Sequence, residues 1–575
     1  MPGLRQPDHI RYADGDAKRS FPRLLILLWT LTAIALDIAP AQTVFIRANQ
    51  LGYLRRDMKG AVILSRRDLN GQIFEIVRSK GTPAVYRAAI GRTRGRYGQF
   101  GYVHHIDFSS LDQPGTYAIR AVGQESYPFV VGDSAYNRVV DSLMLFFRVQ
   151  RCGTTDPLLH RPCHTHDATH LIMDGSPGRR KVDVSGGWHD AGDYVKFLNT
   201  AAYTTYTLLF AFEFNPQAFS FDHDANGIPD ALDEAKIGLD WLLKLQFEER
   251  NLITQVQDLR DHDQGWRLPE EDQLSRDRPG FVGIGKNLVG IYSATMACAY
   301  RIWNDNLHDR EFAYRCLTAA ENLYSLRNED PDLDTSGTGM YRDVHYRGKL
   351  ALAAIELYLS TQRPEYLQEA KVYAAAAGSD YWWSWGDINS YAHYRIAQWD
   401  KAFAKHLRNN LEAARKLSRG HAFGEASTGQ WGSNNAMLGA ALQGVLWKRL
   451  TGETTYDSLV TLQRDFILGR NPWGISFVFG IGANFAKHFH SQVAYFNGGY
   501  LPGALAAGPV TAATLSQYPI PFERQDVYRE FQTDASVYRD DRMDYVTNEP
   551  TITAAATALF VLGFQSGRNQ THPSH

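Results

Sequence analysis

Asp230-Ala-Leu-Asp-Glu-Ala-Lys-Ile-Gly-Leu-Asp-Trp-Leu-Leu243 is the stretch that decides the architecture. Leu232, Ala235, Leu239, Leu242 and Leu243 return at steps of three and four residues, which puts one apolar stripe along a helix. The same period recurs near 137–150, 200–213, 286–303, 310–327, 348–361, 365–376, 397–416, 433–449 and 551–565. Many of these segments carry Ala and Gly on one face, so helices can pack closely in pairs. No 34- or 40-residue repeat is evident, which favours a closed all-α barrel over a regular solenoid.

Upstream of Asp133 the period is two rather than 3.6. Val44-Phe-Ile-Arg-Ala48, Gly60-Ala-Val-Ile-Leu64, Gln72-Ile-Phe-Glu-Ile-Val77 and Tyr102-Val-His-His-Ile-Asp-Phe108 are separated by Gly, Asp, Asn and Pro. Gly115–Arg120 and Tyr127–Val131 flank a Gly-Gln-Glu-Ser turn as a hairpin would. About seven short strands in roughly ninety residues predict a small immunoglobulin-like β-sandwich.

The N-terminus reads as an export signal. Basic residues up to Arg23 precede the apolar run Leu24–Leu36, followed by Ala39-Pro-Ala41. Thirteen residues at about 1.5 Å each fall short of a hydrocarbon core roughly 30 Å thick. An uncleaved anchor is the competing reading. The expected division is a signal over 1–41, a sandwich over 42–133, a helical barrel over 134–566 and a disordered tail over 567–575. The mature protein is then periplasmic or extracellular, with no stable membrane insertion. Sixty Lys and Arg against 62 Asp and Glu give a net charge of −2, which recommends no nucleic-acid partner. The chain also holds 12 Trp, 30 Tyr and 29 Phe, enough to fill a core and still stack on sugar faces.

Three groups of residues carry chemistry. In Asp183-Val-Ser-Gly-Gly-Trp-His-Asp-Ala-Gly-Asp-Tyr-Val-Lys196, Asp190 and Asp193 are separated only by Ala-Gly. Two carboxylates that close can share one water and raise each other's proton affinity, which suits a general base. A helix cap or a cation-ligand pair is the plainer alternative. In Tyr538-Arg-Asp-Asp-Arg-Met-Asp-Tyr-Val-Thr-Asn-Glu-Pro550, Glu549 precedes an apolar helix. It either complements the helix dipole or, beside Tyr545 and Asn548, is a desolvated acid. Cys152, Cys163, His164 and His189 make a closed tetrahedral zinc set of structural type, against which stands a Cys152–Cys163 disulfide. Asp222, Asp224, Asn226, Asp230 and Asp233, with Gly227 at the sixth position, follow calcium-loop spacing. A polar turn before a helix is the alternative.

Taken together, these segments resemble glycoside hydrolase family 9, in the subgroup with an N-terminal immunoglobulin-like domain. Asn49-Gln-Leu-Gly-Tyr53, Asn226–Ala235, Trp431-Gly-Ser-Asn434 and Gly469-Arg-Asn-Pro472 also carry the resemblance, in the family's order. It implies an (α/α)6 barrel and an inverting hydrolase of β-linked glucan. Asp193 would be the general base, Asp190 its partner on the water and Glu549 the general acid, with zinc on the Cys/His set and calcium near 222–233. Inversion predicts a separation of roughly 6.5–9.5 Å between the Asp193 and Glu549 carboxyls. The family's Pro-His-His-Arg run is altered: Phe489 stands for Pro, His490 for the first His and Gln492 for Arg, and Ala555 stands where Asn is usual. His490, Gln492 and Tyr545 are the expected sugar contacts, with charge and forked geometry lost at Gln492. Endo-β-1,4-glucanase action on a β-linked oligo- or polysaccharide is therefore the leading expectation. An exo-acting β-glucosidase or exo-β-glucosaminidase is the first rival, and a non-catalytic glycan-binding protein the second.

Overall fold

The computed structural model describes residues 43–78, 83–173, 175–178, 180–329, 341 and 343–566. The expected export segment and C-terminal tail lie outside the described residues. Nine strands come first: β1 (Val44–Arg47), β2 (Gly52–Tyr53), β3 (Gly60–Ser65), β4 (Ile73–Val77), β5 (Tyr86–Ala89), β6 (Tyr102–Asp107), β7 (Gly115–Ala121), β8 (Gln124–Glu125) and β9 (Phe129–Val131). One sheet runs β1-β3-β6 and the other β2-β9-β7-β4-β5, with β8 also on β7. Inward residues of both, among them Ile63, Phe74, Ile76, Tyr117 and Ile119, make a separate small core. β1 and β3 are buried on both faces, with Val44, Ile46, Ala61 and Ile63 in that core and Phe45, Val62 and Leu64 in the large core of the helical part.

Twelve helices of eight or more residues follow among the described residues. They are α1 (Asn137–Gln150), α2 (Leu198–Phe214), α3 (Asp230–Leu245), α4 (Lys286–Arg301), α5 (Arg310–Tyr324), α6 (Arg347–Thr361), α7 (Pro364–Ala377), α8 (Asn389–Ile396), α9 (Ala404–Gly420), α10 (Ser433–Thr451), α11 (Asp457–Ile467) and α12 (Ile552–Phe564). The even-numbered helices touch in sequence, and α12 returns to α2, closing an inner ring. The odd-numbered ones form the outer layer. Burial follows this: α2 and α12 are buried on nearly every face, whereas α9 buries only His406, Leu407, Asn410, Leu411 and Ser418. This is the (α/α)6 barrel that the resemblance implied. No helix of the described residues is long and apolar enough to cross a membrane.

Two departures from the sequence reading have local causes. The segment expected as one helix over 397–416 is broken, because Asp400 caps a short 3-10 turn at Lys401–Phe403 by accepting from the Ala402 amide. A mixed sheet was not expected; it is built from His170–Met173, Ser176–Pro177 and Lys196–Phe197 before α2 and Gln246–Glu248, Asn251–Val256 and Pro279–Gly283 after α3. Its central strand, Asn251–Val256, is buried along almost its whole length and so shows no alternation.

The Asn49–Tyr53 motif joins the two layers of the molecule. Asn49 Nδ2 donates to Asp465 Oδ1 on α11 (2.8 Å) and to the Tyr136 hydroxyl (3.1 Å). The Gln50 side chain donates to the Gly474 carbonyl (2.9 Å) and accepts from the Asn484 amide (2.8 Å). These buried polar groups are paired across the junction, which fixes how sandwich and barrel meet.

Candidate active site

The loop before α2 is held from three directions. Its Cys152 and His189 amides donate to Gly187 and Gln150 carbonyls (both 2.8 Å), tying it to the end of α1. From α3, buried Glu234 grips Arg151 with both oxygens and accepts from Trp188 Nε1 (2.7 Å). Glu234, which directly follows the calcium-like stretch of sequence, is thus a loop anchor. The Ile552 amide at the start of α12 donates to the Asp190 carbonyl (3.0 Å), so the last inner helix is tied to the early loop.

Asp190, Asp193 and Glu549 meet at this junction. Glu549 Oε1 accepts the Gly192 amide (3.2 Å), which lies between the two aspartates in sequence. Asp190 is buried and its Oδ2 accepts from the Tyr341 hydroxyl (3.2 Å). Burial pushes the Asp190 carboxyl up to about 7, with the Asp193 charge adding to it and Thr200 and Tyr341 opposing. Asp193 Oδ1 accepts the Val195 amide (3.1 Å), and its Oδ2 lies 2.8 Å from His262 Nε2. That hydrogen bond pushes His262 up to about 9, so the ring is a cation near neutral pH and donates to Asp193. Burial, reinforced by repulsion from Asp193 and Asp190, pushes Glu549 well above the usual carboxylate range. One carboxyl therefore keeps its proton while its neighbour Asp193 faces an imidazolium. This is the division of roles that acid–base chemistry at one bond requires.

Gly192 is required by close approach. A Cβ there would lie 2.1 Å from the His490 carbonyl oxygen and 3.3 Å from Glu549 Oε1. Gly192→Ala is expected to destabilise the fold by about 1–3 kcal/mol and to cut turnover at least tenfold by displacing the carboxylates. Thermal unfolding and steady-state kinetics check both.

A cleft of about 810 Å³ opens over these groups, lined by Trp266, Tyr341, Trp385, Trp431, His490 and Tyr545 among others. The rings form one continuous run, in which His490 packs 5.7 Å from Tyr545. Trp266 lies 5.2 Å from His490 and 5.1 Å from Tyr495, while Trp431 lies 5.7 Å from Tyr545 and 5.4 Å from Tyr518. His490 Nδ1 bonds the Arg542 carbonyl (2.8 Å), which makes Nδ1 the donor and leaves Nε2 an acceptor; burial lowers the ring's pKa. Phe489, in place of Pro, is buried against Phe479 (6.3 Å). Gln492 lines the cleft, but its side-chain oxygen accepts from the Arg267 amide and Nη1 (both 3.3 Å), and its own amide donates to the Gly192 carbonyl (3.0 Å). Ala555 is fully buried in α12. His262, Trp266 and Tyr341 were missed in the sequence. Asp261-His-Asp-Gln-Gly-Trp266, a polar loop ending in Trp beside buried strands, is the signal that could have found the first two.

The expected metal ligands divide. Cys152, Cys163, His164 and His189 are buried, and their ligand atoms lie within 4.8 Å of one another. Both cysteines are unbridged. Cys152 Sγ is 3.8 Å from His164 Nδ1, and Cys163 Sγ is 3.8 Å and His164 Nδ1 3.2 Å from His189 Nε2. A tetrahedral zinc with ordinary bond lengths would set such pairs about 3.3–3.6 Å apart, so the donor set fits. His164 Nε2 contacts Asp272 (3.0 Å), the carboxylate support common behind metal-bound imidazoles. In the acidic loop Asp222, Asp224 and Asp230 gather, and the Asn226 backbone amide donates to Asp222 and Asp224 (both 3.2 Å). Asn226 and Asp233 bond each other (2.6 Å), and His223 lies against Asp230.

Comparison with known proteins agrees with this layout. The model for Glycosyl hydrolase family 9 matches residues 136–562, and that for the cellulase N-terminal Ig-like domain matches 41–126. Endoglucanase D of Acetivibrio thermocellus is 26% identical over 502 residues, covering 81% of this chain and 78% of its own. A xyloglucan-specific endo-β-1,4-glucanase of Bacteroides ovatus is 26% identical, covering 93% and 97%. The crystal structure of a metagenome-derived family 9 endoglucanase superposes with a TM-score of 0.79 at 26% identity, covering 91% of this chain and 99% of that one. With the barrel, the Ig-like domain and the carboxylate cluster in place, this chain belongs to glycosyl hydrolase family 9.

Proposed function

We propose that this protein is an exported, inverting endo-β-1,4-glucanase. The observation that carries the reading is the convergence of Glu549 on Gly192, with Asp190 and Asp193 on either side of that glycine. Glu549, holding its proton through burial and repulsion, donates it to the leaving glycosidic oxygen. Asp193, oriented by His262 and the Val195 amide, takes a proton from a water that Asp190 also holds. His490 Nε2 and the rings of Trp266 and Tyr545 orient the sugar. Gln492 acts chiefly as a strut, since its oxygen is committed to Arg267. Relatives named as endoglucanases support the endo reading.

The Cys152, Cys163, His164 and His189 set would hold a structural zinc, which supplies rigidity rather than reactivity because no coordination position stays open. Asp222, Asp224 and Asp230 would hold a calcium, with Asn226 Nδ2 bonding Asp224 (3.3 Å) and Asp233 (2.6 Å) within the same loop. Residues 1–41 act as an export signal, 42–133 as the sandwich and 134–566 as the catalytic barrel. Digestion of a long soluble β-1,4-glucan tests the proposal. A steep early fall in viscosity with mixed oligosaccharide products is expected, whereas release of single sugars from one chain end would replace it with the exo reading.

A further inference from the structure

Away from the cleft, a second depression of about 710 Å³ lies on the flank of the barrel between α3, α5 and the short strand Gln246–Glu248. It shares no lining residue with the catalytic cleft. Along α5, Tyr314, Thr318 and Asn322 are exposed at successive helical steps and form one wall. Tyr314 is 56% exposed, a large ring left in solvent, and Tyr300 packs 5.7 Å from it. Opposite stand Gln246 and the half-buried Phe247, whose ring is covered on one side by the Arg180 guanidinium (5.1 Å). Tyr292, from inner helix α4, lines the depression. Its side chain is fully buried, yet its hydroxyl has no hydrogen-bond partner among the described residues.

Two rings at the rim and the amides of Gln246 and Asn322, beside Glu248, Glu249, Glu311 and Arg315, match what a sugar chain presents: apolar C–H faces edged by hydroxyls that donate and accept. Resting on the β-glucan reading above, we infer that this groove is a second, non-catalytic binding site for the same polymer, holding a chain on the barrel's flank while the cleft works. Its effect is avidity, since a chain held at one site raises the local concentration of glucan at the other.

The test is native electrophoresis through gels containing soluble β-1,4-glucan, in the Glu549→Gln background so that the polymer survives. Phe247→Ala/Tyr314→Ala is expected to raise the dissociation constant for the polymer about fivefold or more, and Tyr314→Phe, which keeps the ring, to stay within about twofold of the parent. Circular dichroism and thermal unfolding verify that the alanine variant is folded. Should that variant be unfolded, Tyr314→Ala alone, at a surface position, carries the comparison. A folded alanine variant retarded as strongly as its parent would overturn the groove. Cleavage of the same polymer by the wild-type protein is scored separately. Binding through the groove without any cleavage would remove the enzymatic reading alone, and cleavage without ring-dependent retardation would remove the groove alone.

Discussion

Glu549→Gln is expected to lower kcat/KM on β-1,4-glucan about 10²–10⁴-fold, some 3–5 kcal/mol of transition-state stabilisation. The amide keeps the shape and the Gly192 hydrogen bond but has no proton to give. Aryl glycosides with acidic phenol leaving groups should suffer much less, because their departure needs little protonation. The pH profile gives the sign. Glu549 is active when protonated and its pKa is raised, so wild-type activity persists above the usual carboxylate range and falls as pH rises through the raised value. The variant should lose that basic limb. Stability should move the other way. A carboxyl with a raised folded-state pKa binds more protons folded than unfolded, so its contribution is present in acid and is lost as pH rises from about 4.5 through the raised pKa. Glu549→Gln should therefore unfold at a higher temperature than wild type at pH 7 and at the same temperature below pH 4. A full basic limb retained by the variant would remove Glu549 from the acid's role.

Removing the metal is the second large effect. Stripping with a strong chelator is expected to release about one zinc per chain, lower the unfolding temperature by roughly 10 °C and abolish turnover. The cause is local: His189 directly precedes Asp190, and its amide and that of Cys152 pin the same loop. Without the proposed zinc, two buried thiols and two buried imidazoles would have no common partner, and the carboxylates would lose their aim. Cys163→Ser should reproduce the loss without chelator. A protein indifferent to chelator but weakened by reductant would instead hold a Cys152–Cys163 disulfide.

Much of this molecule was readable from local pattern. The stripe from Leu232 to Leu243 gave α3, and the alternation of Phe129–Val131 gave a strand, because each element buries one face and the other stays wet. Asn251–Val256 escaped because a strand enclosed on both faces does not alternate, and α11 because its stripe of Leu459, Val460, Phe466 and Ile467 runs straight into the Gly469 turn. Asp190, Asp193 and Glu549 stood out through their neighbours in sequence. Contacts between distant segments did not: Arg267, 225 residues from Gln492, donates to the side-chain oxygen of a residue that the family resemblance marks as a sugar contact. His262 was equally silent, since nothing near Asp193 in the chain announces a cation on its carboxylate.

Proton NMR of the first product released from a β-1,4-glucan tests the three-carboxylate arrangement most directly. The account predicts that the new reducing end appears first as the α-anomer and mutarotates later. A β-anomer at the earliest time points would mean that a side chain, not water, attacks the sugar, and would contradict it.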